Sequence, residues 1–119
     1  MSQRVKAVIC REINQPVVVE DIEVEIVDLR TLIPWDRETV LDSVRRCSKV
    51  LVLHEDTRTG GLGAEIAATI VEEAFTELDG PVRRLAAPDT PVPFAPTLER
   101  AFIPQVDDIV AALRDLVAY

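Results

Sequence analysis

Residues that could carry chemistry are scarce in this sequence. It contains one histidine, two cysteines and one tryptophan, and aromatic residues make up only 4% of the chain. Cys10 and Cys47 lie far apart, and only His54 could join them, so the sequence cannot supply a zinc site of the usual ligand spacing. We therefore expect no metal site, and we expect both cysteines to be free, buried thiols.

Positive charge and long apolar runs are scarce as well. The 13 lysines and arginines are outnumbered by 21 aspartates and glutamates, which gives a net charge of −8. This balance argues against nucleic acid or an anionic membrane as a partner. The longest apolar runs, such as Val50–Leu53, are too short to cross a bilayer, and the charged opening residues do not resemble a secretory signal. We predict a cytoplasmic protein of one domain with an aliphatic core.

Hydrophobic patterns predict several strands. Residues 5–10 and 17–19 flank turn residues and indicate a β-hairpin. Residues 22–26 alternate between apolar and acidic side chains, as a strand with one wet face does. Residues 49–54 form a continuous apolar strand, which is typical of a parallel sheet covered on both faces. A short fourth strand is expected at residues 82–86.

A helical period separates these strands. Asp36 is expected to cap a first helix, with Trp35 and Val40 forming a hydrophobic staple. A second helix should begin near Leu62 and run through Leu78, ended by a left-handed cap at Gly80 and a stop at Pro81. A proline-rich connection, residues 88–104, leads to a last helix. The order predicts a three-layer α/β sandwich with a largely parallel sheet and an N-terminal β-hairpin.

One segment has the residues of a candidate site, because a strand end leads through a glycine-rich turn into a helix. The free N–H groups at such a helix start could bind an anion, but the glycines could equally serve a tight, closely packed turn. His54 is the one candidate base or metal ligand, yet no nucleophile has an obvious partner, so a structural role is the alternative. The candidate residues of this interface or anion-binding turn are His54, Glu55, Thr59, Gly60, Gly61, Gly63 and Glu65.

From about Val24 to Tyr119 the sequence resembles the C-terminal domain of the β subunit of branched-chain 2-oxoacid (2-oxoisovalerate) dehydrogenase, a member of the transketolase-like superfamily. Five blocks carry the resemblance in the same order: Asp28-Leu29-Arg30-Thr31-Leu32-Ile33-Pro34-Trp35-Asp36, His54-Glu55, Thr59-Gly60-Gly61 with Gly63-Ala64-Glu65-Ile66, Pro88-Asp89-Thr90-Pro91-Val92-Pro93, and Leu98-Glu99 with Phe102-Ile103-Pro104.

The resemblance implies a domain for interaction and not for catalysis. In that family the α subunit and the N-terminal domain of the β subunit hold thiamine diphosphate and magnesium, and neither part is found in this sequence. The C-terminal domain builds subunit interfaces and helps dock the acyltransferase core. The resemblance therefore implies no catalytic, cofactor-binding or metal-binding residue in this chain, with an α subunit or the acyltransferase's binding domain as partners in the parent complex.

The start of the chain departs from this family. Residues 1–24 resemble the opening hairpin of zinc-dependent medium-chain alcohol dehydrogenases, whereas the strand, glycine and helix that normally open the family's domain are not apparent. We therefore expect a chimera with two segments, 1–24 and 25–119, in one folded unit. Without that helix, one face of the sheet would expose its apolar side chains to solvent. We therefore expect two chains to cover this face by forming a dimer.

Two other functions stay open at this point. The chain could be an autonomous module that docks the peripheral subunit-binding domain of the dihydrolipoyl acyltransferase through its acidic surface. It could also be an active oxidoreductase component of the branched-chain 2-oxoacid dehydrogenase complex, which would require thiamine diphosphate.

Overall fold

The computed structural model of the chain describes the backbone of residues 3–9 and all of residues 22–119. The described residues form four strands and four helices. The strands are β1 (Gln3–Ile9), β2 (Ile22–Asp28), β3 (Val50–Thr57) and β4 (Arg83–Ala87). The helices are α1 (Arg37–Cys47), α2 (Leu62–Ala74), α3 (Pro96–Phe102) and α4 (Val106–Val117), with a short 3₁₀ turn at Phe75–Glu77.

The strands form one four-stranded sheet in the order β2-β1-β3-β4, and every pairing is parallel. β3 lies inside the sheet and is buried on both faces, as its continuous apolar sequence predicts. Its side chains alternate, so Val50 and Val52 pack on one side, while Leu51 and Leu53 pack on the other. The predicted three-layer α/β sandwich with a parallel sheet is confirmed.

Each face of the sheet has its own hydrophobic core. The first core joins β3 to helices α1 and α2, and its buried members are Val27, Leu29, Val40, Leu41, Val44, Val50, Val52, Ile66, Ile70 and Ala74. The second core joins β3 to helix α4 and contains Leu51, Leu53, Ile109, Leu113 and Leu116. Burial of aliphatic side chains on both faces is the main source of stability for a domain so poor in aromatic residues.

The predicted N-terminal hairpin is wrong in its pairing. Along β1, residues 6–9 pair with β2 on one edge and with β3 on the other, in parallel on both sides. A hairpin needs an antiparallel neighbour on one of these edges, and both are occupied. Residues 17–19, the expected second strand, lie outside the described residues. The strand character of residues 5–9 is confirmed, because this segment lies in β1.

Helix α1 begins as its sequence predicts. The Asp36 carboxylate accepts a hydrogen bond from the Thr39 N–H at 3.1 Å and another from the Thr39 hydroxyl at 2.7 Å. These bonds lower the pKa of Asp36, with the side-chain bond as the larger cause. Val40 is fully buried, and Trp35 packs beside the same core. Cys47 is a free, buried thiol, as expected, whereas Cys10 lies outside the described residues.

Two helix boundaries differ from the prediction. α2 ends at Ala74 rather than running through Leu78, and a 3₁₀ turn follows it. The left-handed cap at Gly80 is wrong, since the described residues with positive φ are Gly60 and Ser48. The proline-rich connection also contains a helix, α3, that begins with Pro96 in its first turn, where the missing N–H costs nothing.

No helix in the described part of the chain is long and apolar enough to span a bilayer.

Candidate functional site at the glycine turn

The candidate site lies where β3 leaves the sheet and α2 begins. β3 ends at Thr57, and α2 starts at Leu62, so only a few residues reverse the chain direction. Gly60 makes this possible with φ of +75°, a conformation that L side chains rarely adopt. Gly61 occupies the N-cap position in an extended conformation and offers no side-chain cap to the helix.

Asp89 holds the outer part of the turn. Its carboxylate accepts the Thr59 N–H at 2.8 Å and the Thr59 hydroxyl at 2.6 Å. These two bonds lower the pKa of Asp89, with the side-chain bond as the larger cause, and the nearby Arg58 and Arg84 lower it further. Asp89 lies in one of the sequence blocks shared with the family, but no local pattern in the sequence indicates this role. The carboxylate therefore ties the turn to the segment that follows β4.

Two arginines brace the same edge of the sheet. The Arg58 guanidinium donates to the Arg84 carbonyl at 2.9 Å, and the Arg84 guanidinium donates to the Arg58 carbonyl at 2.9 Å. The Arg58 N–H also donates to the Ala87 carbonyl at 3.0 Å. These bonds extend the β3–β4 pairing beyond the strands, so both arginines have structural contacts of their own.

His54 lies beneath the turn and is only 7% exposed. Within the described part of the chain, neither Nδ1 nor Nε2 has a hydrogen-bond partner. Burial is the main reason that the pKa of His54 is lowered; the Arg84 charge lowers it further, whereas Asp56 opposes the shift. The imidazole is therefore neutral at pH 7.

The glycines of α2 are packed directly on this ring. A Cβ at Gly63 would overlap the Nε2 and Cδ2 atoms of His54 and would lie 3.3 Å from Val52 Cγ1. A Cβ at Gly61 would overlap the Thr57 carbonyl oxygen and would lie 2.9 Å from His54 Cε1. The imidazole thus occupies the space that side chains would fill at both positions.

The structure brings together only part of the candidate set. His54, Gly61 and Gly63 form one buried contact, while Thr59 and Gly60 lie on the exposed outer turn. The side chains of Glu55 and Glu65 are exposed. The surface groove beside the turn is shallow and is lined by Thr57, Thr59, Asp89, Thr90 and Pro91, and Thr59 and Asp89 already bond to each other.

The described residues supply no ligand set for the magnesium that accompanies a phosphate-bearing cofactor. Residues 22–119 contain no group of three or more His, Cys, Asp or Glu side chains that could hold a metal ion. The side-chain positions of Gly61 and Gly63 are filled by the Thr57 carbonyl and the His54 ring, so neither position could carry a side chain that binds the cofactor. We therefore derive no chemical step through thiamine diphosphate in this chain.

Comparison with solved structures supports the fold. The structure described as a split gene transketolase, inactive beta4 tetramer, superposes with a TM-score of 0.70 and covers 96% of this chain and 38% of that one. Sequence identity is 24%, so the likeness concerns the fold alone.

Curated relatives match in sequence as well. The 2-oxoisovalerate dehydrogenase subunit beta 2 of Arabidopsis thaliana is 48% identical over 100 residues, 84% of this chain and 27% of that protein. The 2-oxoisovalerate dehydrogenase subunit beta of Bacillus subtilis is 41% identical over 101 residues, 84% of this chain and 31% of that protein. A rice pyruvate dehydrogenase beta subunit is 45% identical over 95 residues, 80% of this chain and 25% of that protein.

This chain spans only about a quarter to a third of the length of those relatives. Residues 8–109 match the family model described as the transketolase C-terminal domain. The match begins within the segment 1–24, whose predicted alcohol-dehydrogenase origin stays a prediction. The resemblance to the β subunit of branched-chain dehydrogenases is confirmed, and the chain belongs to the transketolase C-terminal domain family.

Proposed function

We propose that this chain is an assembly module without catalysis of its own, derived from the C-terminal domain of a thiamine-dependent 2-oxoacid dehydrogenase β subunit. The observation that carries the proposal is which part of the family this chain matches. Residues 8–109 match the transketolase C-terminal domain model, and the 48% identity to the Arabidopsis subunit runs over 84% of this chain and 27% of that protein.

The chemistry of the candidate turn agrees with this proposal. His54, the one imidazole of the chain, is buried against glycines, and neither ring nitrogen has a hydrogen-bond partner among the described residues. A general base must reach the proton that it removes, and this ring is covered. The two glutamates of the candidate set point to solvent, where they add charge but form no enclosed site.

An exposed apolar segment supplies the contact surface that an assembly module needs. Phe94 is fully exposed, Val92 is 64% exposed and Leu98 is 59% exposed; we call these three residues the 92–98 patch. Large apolar side chains clustered in one exposed segment mark interaction surfaces. Ile26, on the α4 side of the edge strand β2, is also 47% exposed.

The proposed assembly is a homodimer that buries the 92–98 patch of each copy. Sedimentation velocity at high micromolar concentration tests it, and a dimer is expected for the unmodified chain. Phe94→Ser should shift the population toward monomer. The matched control is Phe75→Ser, which removes a second exposed aromatic ring, 70% exposed, from the 3₁₀ turn after α2. A clean monomer for the unmodified chain, or equal effects of both substitutions, would contradict the proposal.

A second candidate function is docking of the acyltransferase's peripheral subunit-binding domain. The net charge of −8 favours it, because an acidic surface attracts a basic partner and the attraction weakens with salt. Titration of the chain with that domain at two salt concentrations separates the two functions. If no binding is detected at low salt, the docking function is excluded, and the proposed homodimer is unaffected.

The absence of catalysis has its own test. Calorimetry with thiamine diphosphate, magnesium and a branched 2-oxoacid should show no heat of binding and no decarboxylation. Saturable binding would contradict the proposal and favour an active dehydrogenase component.

We further propose that the chain is a chimera of segments 1–24 and 25–119 acting in the cytoplasm. Proteolysis that releases residues 25–119 as a stable fragment would contradict a single folded unit.

A further inference from the structure

His54 is the buried titratable group that the proposed function does not use. It is the sole histidine of the chain and lies near the end of β3, only 7% exposed. Both ring nitrogens lack a partner among the described residues. A buried polar group without a partner costs stability, so it calls for an explanation.

The ring is in direct contact with the first turn of α2. Atoms on one of its edges, Cε1, Nε2 and Cδ2, occupy the space beside Gly61 and Gly63. A neutral imidazole packs there as a flat, mostly apolar plate. A protonated ring would carry two N–H donors, and neither would find an acceptor in this packing.

The charged surroundings do not offset that cost. Asp56, on the same strand, attracts the charged ring, but its carboxylate is exposed and accepts the Thr57 N–H at 2.8 Å. Arg84, from β4, repels the charged ring. From α2 the ring meets Gly61 and Gly63, which bear no charge, and the positive end of the helix dipole disfavours a cation there.

We propose that His54 is a pH-sensitive latch: the neutral ring holds the first turn of α2 against β3, and protonation of the ring releases that turn. The moving part is the segment from Thr57 to Gly63, with Gly60 as the residue of greatest backbone freedom. The cores on β3 stay packed, because their side chains lie below the ring and on the opposite face of the sheet.

The direction of the pH effect follows from linkage. Burial lowers the pKa of His54 in the closed state, whereas an opened ring in water regains the ordinary imidazole value of about 6.5. The open state therefore binds the proton more tightly. Above the ordinary value the latch does not depend on pH, and below it the closed state loses stability until the closed-state pKa is reached.

Two NMR measurements on the whole chain test the latch. With a single histidine, the ring protons titrate without overlap, and their midpoint should lie below that of a histidine in a short peptide. Amide exchange, corrected for intrinsic rates, should report the opening through Ala64, whose N–H donates to the Gly61 carbonyl at 3.1 Å. Its protection should fall by up to about tenfold per pH unit below the ordinary imidazole pKa, while the amide of Val52 in β3 keeps its protection.

His54→Leu supplies the non-titrating comparison, and Glu55→Gln supplies a matched change of an exposed neighbour. The leucine variant should lose the pH dependence of the turn amides between pH 7.5 and 5.5, and the glutamine variant should keep it. A ring midpoint at or above the peptide value overturns the latch, as does unchanged pH dependence in His54→Leu. If the leucine variant does not fold, amide exchange in the unmodified chain decides: a first turn of α2 whose protection does not fall below about pH 6.5, relative to Val52, overturns the latch.

Discussion

Gly63→Ala is expected to destabilise the protein, although it replaces a glycine inside a helix. In an exposed helix the same change stabilises by about 1 kcal/mol, because alanine restricts the unfolded chain and favours the helix. At Gly63 the added methyl would lie closer than 3.0 Å to two atoms of the His54 ring and 3.3 Å from Val52 Cγ1. The ring cannot move away freely, since it is buried.

The magnitude follows from two opposing contributions. Overpacking a filled core costs about 1–3 kcal/mol, and the overlap with two ring atoms places this site at the upper end of that range. Subtracting the helix gain of about 1 kcal/mol leaves a net loss of about 2 kcal/mol. Chemical unfolding by urea, followed by far-ultraviolet circular dichroism, measures it.

A double-mutant cycle tests the cause. His54→Ala removes the ring, so adding Gly63→Ala to that variant should cost far less, or should stabilise as in an ordinary helix. Gly60→Ala is the matched control, because it meets no atom within 4 Å but has φ of +75°. It should lose about 1 kcal/mol from left-handed strain, with or without the histidine. A Gly63→Ala chain as stable as the unmodified one would refute the packing argument.

Two further changes test the fold away from the turn, both by urea unfolding. Ser48→Gly should stabilise by about 0.5–1 kcal/mol, since Ser48 ends α1 with φ of 62°; a loss of stability would show that its side chain compensates the strain. Leu51→Ala should cost about 2–5 kcal/mol, because Leu51 is fully buried between β3 and α4, and a loss below 1 kcal/mol would mean that the second core tolerates a cavity.

Features fixed by nearby residues were predictable from the sequence. The cap of α1 depends on Asp36 and Thr39, only three residues apart. The burial of β3 on both faces is written in four consecutive apolar residues, Val50–Leu53. Such features depend on the chemistry and spacing of neighbouring residues, so they can be predicted without knowing how distant segments pack.

Features that depend on distant residues were not predictable in the same way. The strand signal in residues 5–9 is real, but a strand pattern does not name its partner, and the partners here are β2 and β3 in parallel. Helix α3 was missed because prolines dominate its surroundings, although Pro96 at the first position favours a helix start. The helix predicted to run through Leu78 ends at Ala74 instead, and the 3₁₀ turn that follows leaves Phe75 exposed.

The candidate site likewise contains features that the sequence predicts and contacts between distant residues that it does not. The glycine turn and His54 were identified separately, and two interpretations stayed open: an anion site, or close packing. The His54 ring and the Thr57 carbonyl fill the side-chain space at Gly63 and Gly61, whereas anion binding by the first N–H groups of α2 stays a prediction. Packing explains those two glycines, and positive φ explains Gly60.

The turn therefore acts as a structural support, and the surface that could bind a partner is the neighbouring segment that the turn holds. Thr59, on the outer turn, holds Asp89 through two short hydrogen bonds, and Asp89 begins the segment that presents Phe94 to solvent. While the turn is closed, these bonds fix the start of that segment, so the exposed aromatic ring is held in a more defined position than on a free loop. The Asp89 carboxylate thus joins the outer turn to the segment that carries the exposed Phe94.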